Sequence, residues 1–220
     1  MTKILDHQLY QIERYGVTLN LDQSIDVTDL ITLSADTIIL ATGAHPRPPE
    51  DFILIDGPLL SGRNYLKGLG RSTIGRYRKA VLIDQDQTAA TYGLADQLAA
   101  DFDELLIVTT RPNFAQSVNY CSSIGVYRRL YGAGVTLIPA VKPVRMAAGT
   151  MTLENVYSGQ SSTIDSVDAV IYVTPRRVVD GFEPMTIAKV SDKILRIGDC
   201  RSPRNLMAAI HDGHHAAMLV

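Results

Sequence analysis

The chain has 220 residues, 46% hydrophobic and 20% charged, the composition of a folded globular protein with room for one large core or two small ones. A formal net charge of -2, with basic residues scattered except over 71–79, gives no electrostatic reason for a nucleic-acid partner or an anionic membrane surface. The start, Met1-Thr-Lys-Ile-Leu-Asp-His7, has no apolar leader, and no apolar run approaches the ~20 residues of a membrane span, so a cytoplasmic protein is expected.

In chain order, Ile4, Leu5, Leu9 and Ile12 recur at helical spacing and predict an amphipathic helix over 3–15, stopped by Gly16. The alternating run Val17-Thr-Leu-Asn-Leu21 predicts a strand, and the weaker alternation over 25–33 a small hairpin. Four apolar residues in ADTIILATGA (35–44) then run into Thr42-Gly43-Ala44, a buried strand over 37–41 delivered to a tight turn. Residues 45–78 are rich in Pro, Gly and Arg and are expected to connect two domains.

From Lys79 the pattern is that of a βαβ unit: an apolar run at 80–83, a helix over 89–100 and a strand over 105–108. A second helix is predicted at 122–131 and a strand at 135–138. Two alternating segments, 142–146 and 151–157, should pair through the turn Ala147-Ala-Gly-Thr150. A buried strand over 168–173 ends at Thr174-Pro175. The last strand, Ile194-Leu-Arg-Ile-Gly-Asp199, leads into a helix over 205–220.

That last exit is the most informative constellation. Glycine permits close backbone approach, aspartate accepts hydroxyl hydrogen bonds, and a following helix start favours negative charge, so Gly198 and Asp199 suit a phosphorylated or ribityl group. The plainer alternative is a strand-turn-helix with Asp199 as helix cap.

ADTIILATGA (35–44) together with ILRIGDCRSPRNLMAAIHDGHHAA (194–217) resembles the carboxy-terminal region of the NADH:flavin oxidoreductases related to trimethylamine dehydrogenase and 2,4-dienoyl-CoA reductase. KAVLIDQDQTAATYGLADQLAADFDELLIVTT (79–110) resembles their NAD-like domain. The resemblance implies an α/β fold of the two-dinucleotide-domain, glutathione-reductase-like Rossmann type. In it, 1–46 and 180–220 would form a partial FAD-like domain lacking its first half, 76–175 an NAD(P)-like domain, and 47–75 the connection. It further implies that FAD or ADP belongs to the assembled enzyme, and that FMN and an iron–sulfur cluster belong only to the part missing here. Thr42, Gly43 and Ala44 would approach the nucleotide through their backbone, and Gly198 and Asp199 would reach its ribityl or phosphate region. No catalytic residue is assigned to this chain. Its expected role is that of a carboxy-terminal portion or subunit that docks a catalytic barrel; the orphaned sheet edge predicts that partner or self-association.

The NAD-like stretch departs from a working fingerprint. Where glycines should turn the chain stands Asp84-Gln-Asp-Gln-Thr-Ala-Ala90, with two carboxylates expected where a pyrophosphate would lie. Thr109-Thr-Arg111 lacks the acid that binds a ribose diol; Arg111 could meet a 2′-phosphate, but a lone exposed arginine is more often solvated. This favours a second class of function, a non-catalytic interaction or nucleotide-sensing subunit. A third is a complete small NAD(P)H reductase. His211 and His215 have the i, i+4 spacing of metal ligands but no evident third ligand, so no metal site is expected; Cys121 and Cys200 are expected to be packing residues.

Overall fold

The computed structural model describes residues 2–68, 78–179 and 194–220. The basic stretch at 71–79, apart from Arg78 and Lys79, and the start of the 180–220 segment expected to be FAD-like lie outside them. Helix α1 (Thr2–Arg14) forms as expected and ends at Gly16, whose φ of +63° is available to glycine. Two expectations for the next residues fail. Val17–Leu21 forms no strand, because no strand among the described residues lies beside it to share hydrogen bonds. The hairpin over 25–33 is instead helix α2 (Val27–Thr32), started by a capping box in which Asp26 and Asp29 each accept the other's N–H at 2.9 Å. Two reciprocal caps outweigh a weak alternation.

Strand β1 (Ile38–Leu40) follows, then the short β2 (Ala44–Pro46). β1 is less enclosed than its apolar sequence suggests: Ile38 and Leu40 are buried, but Ile39 is 41% exposed. The expected connection is itself structured, contributing β3 (Ile53–Leu54), β4 (Leu59–Ser61) and helix α3 (Gly62–Leu66). The βαβ region gives β5 (Lys79–Asp84), α4 (Ala89–Asp101), β6 (Glu104–Val108), α5 (Tyr120–Gly132) and β7 (Thr136–Ile138). After it come β8 (Val141–Ala147), β9 (Thr150–Asn155), β10 (Ser161–Ile164) and β11 (Ala169–Val173).

These elements make three layers. The middle is a five-stranded parallel sheet in the order β4-β11-β5-β6-β7. One face packs on α3, α4 and α5, where Ala80, Leu82 and Ile107 meet Tyr92, Leu98 and Leu130. The other packs on a sheet of order β10-β9-β8-β3, where Val81, Ile83 and Val108 meet Met146, Met151 and Leu153. The continuous apolar run of β5 thus divides by alternate residues between two cores, as a strand covered on both faces must. All of Ala80–Leu82 is 0% exposed.

Strand β12 (Arg176–Val178) leaves the central sheet and pairs antiparallel with β2, so that two chain crossings lie side by side. The last part comprises β13 (Ile194–Arg196), a 3-10 turn (Gly198–Cys200) and helix α6 (Leu206–Ala217). β13 pairs parallel with β1, and this two-stranded sheet shares a small core of Leu30, Ile38, Leu40 and Cys200 with Ile194 against it. No described helix is long and apolar enough to cross a membrane.

Candidate functional site

The parallel register of β1 and β13, Ile38 opposite Ile194 and Leu40 opposite Arg196, carries both strand ends to one place. The Ile197 N–H donates to the Leu40 carbonyl at 3.0 Å, extending the pairing by one step. Thr42-Gly43-Ala44 and Gly198-Asp199, 150-odd residues apart in sequence, therefore leave the sheet at the same end.

The first exit has an open backbone. Gly43 has a φ of +77° and, among the described residues, nothing within 4 Å of where a Cβ would stand, so a ligand can approach its main chain. Around it the chain is tied down: the Thr42 hydroxyl donates to the Val179 carbonyl at 3.3 Å, and the Val179 N–H to the Gly43 carbonyl at 3.2 Å. Ala44 is buried, and its carbonyl accepts from Arg63 of α3 at 3.2 Å.

The second exit is closed by its own network. Gly198 has a φ of +60°, which favours glycine, and a Cβ there would crowd the Cβ of Ala209 on α6 at 3.3 Å. Its N–H donates to Asp212 of α6 at 3.0 Å. Asp199 does not cap α6; Asn205 does, accepting the Ala208 N–H at 2.9 Å. Asp199 instead forms an ion pair with Arg176 of β12 and accepts the Arg204 N–H at 2.9 Å, while Arg176 also donates to the Arg204 carbonyl at 2.6 Å. Asp212 is paired with Arg204 and lies 3.9 Å from Arg201. Arg176, Arg204 and Asp212 thus join the site; Arg204 and Asp212 belong to the 194–217 stretch that carries the family resemblance but were given no role there, and Arg176 was not singled out. Asp212 was legible as the one acid on the last helix, but nothing in spacing links Arg176 to Asp199.

The two carboxylates of the β5–α4 loop part company: Asp84 turns into the core, and Asp86 stays at the start of α4, the helix end a pyrophosphate would use. Asp84, 0% exposed, accepts the Gln87 N–H and the Tyr92 hydroxyl, both at 2.8 Å. Asp86 turns into the first turn of α4, accepting the Thr88 N–H at 3.0 Å and the Thr91 hydroxyl. The reason is local: without glycines the loop satisfies its exposed N–H groups from its own side chains. Gln87, 2% exposed and at φ +55°, then fills the space between this loop and the one after β6. Its amide donates to the Thr109 hydroxyl at 3.1 Å and the Asn113 carbonyl at 2.8 Å, and its oxygen accepts the Gln116 N–H at 3.1 Å. Burial pushes the Asp84 carboxyl up to about 6, against the lowering effect of the Tyr92 and Gln87 hydrogen bonds and with a further rise from Asp86. Burial and the neighbouring Asp84 push the Tyr92 hydroxyl up in turn.

Among the described residues no group of His, Cys, Asp and Glu is placed to hold a metal. Cys200 is buried as expected, but Cys121 is exposed, since it lies in the first turn of α5 on the side away from the sheet-facing Val126 and Leu130.

No family model matches the chain, and no curated protein sequence matches it. Solved structures do. Histamine dehydrogenase from Rhizobium sp. 4-9 matches 97% of the chain with a TM-score of 0.85 at 20% identity, over 35% of its own length. The 6-hydroxypseudooxynicotine amine oxidase of Pseudomonas geniculata N1 matches 98% with a TM-score of 0.83 at 23% identity, over 34% of its length. A 2-naphthoyl-CoA reductase in complex with 2-naphthoyl-CoA matches 96% with a TM-score of 0.80 at 20% identity, over 31% of its length. The chain has the fold of one segment of these enzymes. It spans about a third of their length. Thioredoxin reductase of T. acidophilum shares the fold more loosely, with a TM-score of 0.63 over 84% of this chain. At the level of fold, the resemblance to the trimethylamine dehydrogenase-related oxidoreductases read from the sequence therefore holds.

Proposed function

We propose that this chain is the carboxy-terminal nucleotide-binding portion or subunit of a flavin-dependent oxidoreductase of the amine dehydrogenase, demethylase or enoyl reductase kind. It positions FAD or ADP at the paired strand ends and docks a catalytic FMN barrel supplied elsewhere, in the cytoplasm. The observation that carries this is that, among the described residues, the β1–β13 sheet has two strands and little to cover it. Parallel strands are normally covered on both faces, and two strands over a handful of core residues are too few to stand alone. Here Ile39 of β1, Ile4, Leu5 and Leu9 of α1 and Leu206 and Ile210 of α6 are all exposed. Such a surface needs further polypeptide against it.

The residues present fit a nucleotide in part. Gly43 offers open backbone, and Arg176, Arg201 and Arg204, set against the two carboxylates of Asp199 and Asp212, leave an excess of positive charge beside Gly198. Asp199 meets a ligand hydroxyl only by sharing or giving up its bond to Arg176. Flavin, when bound, supplies the hydride and electron chemistry; this chain binds and orients. FMN and an iron–sulfur cluster belong to the remainder of the enzyme.

The test is retention of ADP or FAD by the assembled enzyme carrying Gly43→Val. A branched side chain at an open, positive-φ glycine blocks backbone approach, so retention should fall at least ~10-fold, about 1.4 kcal/mol. Unchanged retention rejects the site. A second reading, a non-catalytic interaction or nucleotide-sensing subunit, is favoured by the filled cleft around Gln87. It predicts that the assembly forms without flavin.

A further inference from the structure

The second strand exit has committed the backbone donors that a turn before a helix offers to an anion. The Gly198 N–H goes to Asp212 at 3.0 Å, and that of Arg204 goes to Asp199 at 2.9 Å. Those of Arg201 and Ser202 go to the Gly198 carbonyl at 3.0 and 3.1 Å, and Asn205 caps the start of α6. A phosphate arriving here is therefore met by side chains, where three arginines stand against two carboxylates.

The three are not equally free to meet it. Arg204 is bound to Asp212, whose side chain is only 12% exposed, so removing that arginine would leave a largely buried carboxylate without its closest cation. Arg201 is highly exposed and stands 3.9 Å from the same Asp212. Arg176 is bound to Asp199, which is more open at 21% and keeps the Arg204 N–H when the arginine leaves. An ion pair in contact with water holds weakly, whereas a phosphate takes a guanidinium through two parallel hydrogen bonds.

The backbone puts Arg176 in the right place. β12 pairs with β2 through Arg176 opposite Pro46 and Val178 opposite Ala44, and the Val179 N–H reaches the Gly43 carbonyl at 3.2 Å. The main chain around Arg176 is thus fixed to the first exit, while its side chain holds Asp199 and the Arg204 carbonyl at the second.

The geometry assigns Arg176 the role of a specificity-determining residue that changes partner when ligand binds, which rests on the nucleotide-binding role proposed for the β1–β13 ends. A phosphate of the ligand takes the guanidinium from Asp199, and the released carboxylate oxygen accepts a hydroxyl of the same ligand. A bare anion breaks the Arg176–Asp199 pair and offers Asp199 no replacement. The exchange therefore favours ligands that carry phosphate and hydroxyl together, and Asp199 opposes those that carry phosphate alone.

The test titrates the full chain with ADP and with inorganic pyrophosphate, into the millimolar range at fixed ionic strength, following the amide NMR shifts of residues 198–204. Asp199→Ala frees Arg176 but removes the hydroxyl acceptor. Pyrophosphate should then bind about 3-fold more tightly and ADP about 5-fold more weakly, since a hydroxyl bond to a charged acceptor outweighs an open ion pair. Arg176→Met should weaken both ligands, and in that background Asp199→Ala should no longer tighten pyrophosphate. Two ligands that respond to Asp199→Ala in the same direction, or a tightening that persists without Arg176, overturn the exchange. So does pyrophosphate that leaves the shifts of the parent chain unmoved. The nucleotide-binding role stands or falls separately, on retention in Gly43→Val. Should Asp199→Ala not fold, Arg176→Met alone must weaken pyrophosphate at least ~5-fold, and an unchanged affinity also overturns the exchange.

Discussion

Replacing Gln87 separates two properties that usually travel together, side-chain bonding and backbone strain. Gln87→Ala deletes three side-chain hydrogen bonds, to Thr109, Asn113 and Gln116, in a site where Gln87 is 2% exposed. At ~1 kcal/mol each the loss is about 3 kcal/mol, and the alanine still sits at a positive φ. Gln87→Gly loses the same bonds but relieves the left-handed backbone, worth ~1 kcal/mol, so it should cost only about 2 kcal/mol. Glycine would therefore be the more stable of the two, the reverse of the usual order. Urea unfolding followed by far-ultraviolet circular dichroism reads both, and for a chain of this size the alanine variant should melt about 6–12 °C below the parent. Equal stabilities, or alanine above glycine, would refute the reasoning.

In the assembled enzyme Asp199→Ala should lower retention of flavin or ADP; equal retention in a dialysis assay would remove Asp199 from the site. Isothermal titration of the chain with NADH or NADPH should give no dissociation constant below ~1 mM, an affinity of about 4 kcal/mol, and micromolar binding would show the Gln87 cleft to be open to ligand. Gly62→Ala places a Cβ inside contact distance of Leu94 and 2.9 Å from Cγ2 of Val173, and should destabilise the chain by ~1–3 kcal/mol in denaturant unfolding, whereas a neutral result would mean that α3 shifts freely.

The parts of the fold that sequence made legible are those whose signals are local. The apolar run at 80–83, the helix after it and the turn at Ala147-Ala-Gly-Thr150 carry their own periodicity and turn chemistry, and each forms where expected. β10 was missed because it is short and mostly polar, and the strands between residues 47 and 75 because they are only two or three residues long; what makes them strands is a neighbouring edge, with β4 beside β11 and β3 beside β8. Val17–Leu21 shows the converse, a strand pattern that finds no neighbour among the described residues. At the candidate site, the glycines and Asp199 could be read because close approach and charge restrict residue choice. The arginine that holds Asp199 could not, since it arrives from another strand, 23 residues away. The carboxylates of 84–90 were legible as residues, but the inward orientation of Asp84 depends on Tyr92 and Gln87, which in turn meet a second loop.

The most direct test of the central claim is native mass spectrometry of the chain isolated from its own host, with an absorption spectrum of the same sample. The account predicts a heavier assembly with flavin absorbance, whose additional mass is that of a barrel-bearing component. A colourless species containing only this chain would contradict it.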